Sequence, residues 1–159
     1  MSAAEYRRHL YRAVSVVVVA IVIGLSSAAP AAAEPAPEIQ NAVVAARGAA
    51  SCGALRYNPT VEHAADIVNR STYAYLDHTA ENVPADEPHP TAIVADLGVN
   101  ASQVYSLQGA ARNENDAIKG LLLEGRDAIP DCSYTDFGAS LLHEEQSGYI
   151  LAVVILVGT

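Results

Sequence analysis

The run Tyr149 to Val157 (YILAVVILV) limits what this chain can fold into more than any other segment. Aliphatic and β-branched residues fill both parities, whereas a strand with one wet face would alternate apolar and polar. It is too short to cross a bilayer as a helix, which takes about 20 residues. It therefore reads as a strand covered on both faces, inside a layered fold. Upstream, Ser133 to Leu142 (SYTDFGASLL) reads as its partner strand, and His143 to Gly148 (HEEQSG) as a polar turn between them.

The covering layers come earlier in the chain. Ile39, Ala42, Val43 and Ala46 recur at helical spacing, and Gly48 and Gly53 end that stripe. Leu55 to Pro59 (LRYNP) is an extended link, in which Asn58-Pro59 supplies an N-cap and a first-position proline. The helix that follows buries Val61, Ala64, Ala65 and Val68, presents Glu62, Asp66 and Arg70 outward, and should fade near Ser71 and Thr72. Pro84, Pro88 and Pro90 make Ala80 to Pro90 a loop. Thr91 is expected to cap a short helix stopped by Gly98, and Glu114 to Gly125 to form another, with Ala117, Ile118, Leu121 and Leu122 inward. Asn100 to Gly109 reads as either a strand or a buried loop. Helices first and a hairpin last give an α+β fold, a three-layer α-β-α sandwich with a small antiparallel sheet flanked by helices.

The N-terminus carries a different message. Arg7, Arg8 and Arg12 precede the 13-residue apolar run Ala13 to Leu25, and Ser26 to Ala33 (SSAAPAAA) is small-residue sequence. That is the three-part pattern of a secretory signal peptide over residues 1–33. Glu34 would then begin a short flexible lead-in over 34–38, with the folded domain over 39–159. The other reading keeps residues 13–25 in the membrane as an anchor. The 159-residue chain has a net charge of −9, and without residues 1–33 it would keep six basic and seventeen acidic residues, net −11. Such a surface repels nucleic acid and anionic membranes, so neither is an expected partner of the domain itself.

Export bears on Cys52 and Cys132, the only cysteines. An even count in an oxidising compartment favours a disulfide, with two buried free thiols as the other reading. Neither lies in a CxxC pair, so thiol chemistry is not expected.

Order and local wording together resemble the CAP superfamily (cysteine-rich secretory protein, antigen 5, pathogenesis-related 1), in particular its short exported bacterial members. Asn41 to Ala50 with Cys52 resembles the family's "NxxRxxxGC" helix, and Leu55 to Pro59 its "LxxNP" link. Leu76 to Thr79 (LDHT) resembles "FSHT", Tyr134 to Gly138 (YTDFG) resembles "(Y/F)TEIG", and Gly148 to Gly158 the closing strand. The resemblance implies a cavity with two histidines and acidic residues able to hold a divalent metal. Only His78 of that set has a counterpart. Val104 to Gln108 puts no carboxylate where "GEN" would fall, Gly125 stands in place of the second histidine, and Trp is absent. No metal and no cofactor are therefore expected.

His63, His89 and His143 fall in no HxxxH or HExxH pair, and read as a helix-boundary residue, a loop residue and part of a solvated turn. No GxSxG or SxxK is present. His78, with Tyr75 and Tyr105 as amphipathic neighbours, is the candidate ligand-binding set and His78 the candidate catalytic residue. The expected function is a non-enzymatic binding domain for a small apolar or lipid ligand or a cell-envelope partner. The alternative is a His78-dependent hydrolase or protease-like enzyme.

Overall fold

A computed structural model describes residues 36–48, 50–79 and 90–159. The signal-like segment and His89 lie outside these residues. The elements in chain order are α1 (Pro37–Arg47), β1 (Arg56–Tyr57), α2 (Pro59–Leu76), α3 (Thr91–Asp96), β2 (Gln103–Ala111), α4 (Glu114–Glu124), β3 (Asp136–Glu144) and β4 (Tyr149–Gly158). The strand order is β1-β3-β4-β2. β4 is thus interior, flanked antiparallel by β3 (Leu142 opposite Leu151) and by β2 (Leu107 opposite Val154). β1, expected only as an extended link, adds two residues parallel to β3, so the sheet is mixed at that edge.

The two parities of β4 do what their composition demands. Ile150, Ala152, Val154 and Leu156 join Ile39 and Val43 of α1 and Ala117 and Leu121 of α4 in one core. Val153, Ile155 and Val157 join Val61, Ala64, Ala65 and Val68 of α2 and Val94 of α3 in a second. A helical layer therefore lies on each face, making the α-β-α sandwich. Close approach requires glycine at two crossings. A Cβ on Gly138 would sit 2.0 Å from the Glu62 backbone nitrogen of α2, and one on Gly109 would sit 2.2 Å from the Ala117 carbonyl oxygen of α4.

Asparagine side chains cap two of the helix starts. The Asn58 side chain accepts from the Thr60 N–H at 3.0 Å, and the Asn113 side chain from the Asp116 N–H at 3.0 Å. Thr91 is not a cap: Pro90 occupies that position without a side-chain hydrogen bond, and Gly98 follows the helix at φ +82°. α1 opens at Pro37 with Ala36 already buried against the core, so the end of the expected lead-in belongs to the fold. α2 continues a turn past Thr72, because Tyr73 to Leu76 add no breaker.

The Cys52–Cys132 disulfide forms, with Cα atoms 5.4 Å apart and a sequence separation of 80. The hairpin turn is not simply solvated. His143 faces out, but Glu144 is 1% exposed and accepts from the Gln146 N–H, the Ser147 N–H and the Ser147 hydroxyl. The Ser147 hydroxyl, and then the two backbone donors, hold the Glu144 carboxyl below its ordinary value against the opposing pull of desolvation.

Candidate functional site

α2 brings Asn69 and Thr72, one turn apart, over the sheet. Asn69 is fully buried, and its Nδ2 donates to the Ser140 hydroxyl at 3.2 Å and to the Leu151 carbonyl at 3.0 Å. A carbonyl only accepts, so the group facing Leu151 must be the amide NH2. Oδ1 is consequently the atom left without a hydrogen-bond donor among the described residues. Thr72 donates its hydroxyl to the Val68 carbonyl at 3.3 Å. With Gln108 to Ala110 of β2 and Leu151 to Val153 of β4, these two side chains line a pocket of about 240 Å³.

The short α3 sets that opening. Its Val94 packs with Val104 and Val157, so it covers only the first part of β2 on this face. Farther along the strand the Gln108 side chain lines the pocket instead of a helix. Ser106, on the same face and one strand repeat away, is buried with a hydroxyl that has no hydrogen-bond partner among the described residues. The lining is mixed: carboxamides and a hydroxyl around an aliphatic floor of Leu151 and Val153. It offers hydrogen bonds and apolar contact, and it contains no nucleophile paired with a base.

The residues singled out in the sequence lie elsewhere. His78 is exposed at the end of α2, with φ +57°, and its N–H donates to the Tyr75 carbonyl at 3.2 Å. It occupies the left-handed position after the helix, where Gly or Asn is usual and His is tolerated. Tyr75 shares that end and is 46% exposed. Tyr105 lies on the opposite face of the sheet, half-buried against the core under α1 and α4. The structure thus brings His78 and Tyr75 together and does not bring Tyr105 to them. His63 is exposed on α2. Among the described residues, no group of three or more His, Cys, Asp or Glu stands close enough to hold a metal ion.

Sequence reasoning missed Asn69, which occupies a buried helix position beside Val68. A polar residue within an apolar stripe was the available signal.

Solved structures share this architecture, among them the following three. An outer surface protein from Borrelia burgdorferi aligns with TM-score 0.61 at 11% identity, covering 80% of this chain and 97% of its own. An extracellular protein containing an SCP domain from Bacillus anthracis aligns with TM-score 0.53 at 11% identity over 77% of this chain. A cysteine-rich secretory protein from Staphylococcus aureus gives 0.50 at 12% over 79%. The likeness is one of fold, shared with proteins described as containing an SCP domain and as cysteine-rich secretory. This chain spans only 40% and 41% of the latter two proteins. No family model matches the sequence, and no curated protein matches it. At such identities the CAP likeness carries the fold alone.

Proposed function

We propose that this chain is an exported CAP-like domain that works by binding, taking a small, partly apolar molecule or the exposed part of a lipid or cell-envelope component. The observation that carries the reading is the pocket beside Asn69. It combines an aliphatic floor, two carboxamides and an unpartnered buried oxygen with no nucleophile–base pair. Its volume, about 240 Å³, is below the range of about 300–1,000 Å³ typical of drug-sized ligands. The ligand is therefore small, or only one end of a larger molecule enters. Export is supported by the signal-like N-terminus, by the disulfide, and by structural neighbours described as outer-surface, extracellular and secretory proteins. Among the described residues no helix is long and apolar enough to cross a membrane.

Native mass spectrometry of protein recovered from culture medium tests this reading. The expected mass begins at Glu34, lacks two hydrogens for the disulfide, and includes a co-purifying small molecule that Gln108→Ala or Asn69→Leu removes. Recovery of ligand-free protein under gentle conditions, with no uptake from an envelope extract, overturns it. Substitution of His78 tests the enzymatic alternative. On the binding reading, His78→Ala leaves ligand retention unchanged and costs at most about 1 kcal/mol through the left-handed backbone position. A hydrolytic activity abolished by that substitution would establish the enzyme instead.

A further inference from the structure

A second pocket lies at the other end of the molecule, and its chemistry is cationic. Arg47, the last residue of α1, is 3% exposed. A guanidinium has five N–H donors. Nε donates to the Gly53 carbonyl at 3.0 Å, Nη1 to the Ile129 and Asp131 carbonyls at 2.7 and 2.6 Å, and Nη2 to the Tyr134 carbonyl at 2.8 Å. Four donors are used, and the remaining Nη2 N–H has no acceptor among the described residues. All four acceptors are neutral. The nearby Asp131 carboxylate accepts from the Ser133 N–H at 2.9 Å and the Ser133 hydroxyl at 2.7 Å. These bonds, and to a smaller degree the Arg47 charge, hold it below its ordinary value, so it offsets Arg47 through space without a hydrogen bond to the guanidinium. A buried cation is ordinarily paired with an anion.

Beside Arg47 opens a pocket of about 330 Å³, walled by the Cys52–Cys132 bridge, Tyr134, Thr135 and a second arginine, Arg56. Arg56 is exposed, and its Nη2 donates to Asp136 at 2.9 Å, on the same carboxylate oxygen that accepts from the Thr135 hydroxyl at 2.7 Å. That contact uses one of its five donors and restrains the guanidinium at the pocket wall. Elsewhere the protein is strongly acidic, so two guanidinia lining one pocket stand out against the whole-chain charge. We propose that this pocket is an anion site for a small oxyanion of the phosphate type, with the spare N–H of Arg47 as the fixed donor and Arg56 as the adjustable one. Guanidinium geometry suits such oxygens, which is why arginine is favoured at phosphate sites.

Inorganic phosphate is the probe, titrated into the full secreted chain at constant ionic strength with chloride as balance. The thermal midpoint is expected to rise saturably with phosphate. The Arg47 Nε–H resonance should shift along the same curve. Arg56→Gln, at an exposed side chain and with its fold checked by the thermal midpoint without phosphate, should raise the half-saturating phosphate concentration about tenfold. Vesicles containing phosphatidic acid separate the sources of the oxyanion. Co-flotation that Arg56→Gln abolishes assigns the site to a lipid headgroup, and its absence beside a positive phosphate titration assigns it to a free anion. A midpoint that follows ionic strength alone, an unmoved Arg47 resonance, or identical titrations of wild type and Arg56→Gln overturns the proposal.

Discussion

Arg47 takes carbonyls from both strands of chain that the disulfide joins: Gly53 follows Cys52, and Asp131 precedes Cys132. Its side chain thereby fastens together the two loops that bring Leu55, Ile129 and Tyr134 into the core. Lysine at this position keeps the charge but offers three donors on one nitrogen, and it cannot serve acceptors spread around a planar fork. Arg47→Lys should therefore leave buried carbonyls unsatisfied and cost about 1–3 kcal/mol by urea denaturation. Glu144 serves the hairpin in a comparable way, with a dependence on pH. Its carboxyl sits below the ordinary 4.5 when folded, because the Ser147 hydroxyl and the backbone N–H groups of Ser147 and Gln146 favour the charged form. A depressed folded value means that the contribution is present above the unfolded value and is lost as pH falls through the folded one. Wild type should lose stability on acidification below about pH 4.5, and Glu144→Gln should show a shallower loss over the same window in denaturation curves taken at stepped pH. Neither role was legible in the sequence. Arg47 falls on the last turn of a helix, where a cation needs no special explanation, and Glu144 sits in a polar hexapeptide. Their burial comes from partners some eighty residues away in one case and from the way the turn folds back on itself in the other.

At the level of elements the sequence says far more, because the determining forces are local. The stripe over Ile39 to Ala46, the Asn58-Pro59 start and the helix from Glu114 are written in periodicity and capping, and they fold as written. The β-branched run at the C-terminus foretells both layers around β4. What escapes is non-local. β1 is a strand only because Arg56 and Tyr57 meet Asp136 and Phe137. The open half of β2 depends on how little of it α3 covers. His78 was marked by motif likeness, and its position shows a local backbone reason for that residue, the turn after α2, while the polar pocket forms around Asn69 instead. Gly138 connects the two levels. Its place in the Tyr134 to Gly138 motif marks it in sequence, and the structure supplies the cause, since α2 crosses the sheet directly over it. A methyl group there meets the backbone at Val61 and Glu62, 2.2 and 2.0 Å away, and backbone cannot rotate aside. Gly138→Ala should cost about 3 kcal/mol or more. Urea denaturation checks this, and a cost below about 1 kcal/mol would mean that α2 can lift off the sheet.

For the whole molecule, the disulfide and Arg47 fasten the same place by different means. Closing an 80-residue loop stabilises by roughly 4 kcal/mol on the chain-entropy account, which acts on the unfolded ensemble. Arg47 acts on the folded state alone. If each worked only in its own state, replacing both cysteines by serine and Arg47 by lysine would give additive losses. The geometry argues otherwise. Each half-cystine is the chain neighbour of an Arg47 acceptor, so the bridge also sets where those carbonyls point. Without the bridge the loops can relax around a lysine, and part of the penalty for losing the guanidinium disappears. The double-mutant cycle should therefore show a coupling of about 0.5–3 kcal/mol, with the combined loss smaller than the sum. Urea denaturation of the four proteins in the cycle measures it. Strict additivity would mean that the disulfide restrains only the unfolded chain and that Arg47 alone shapes this end of the fold.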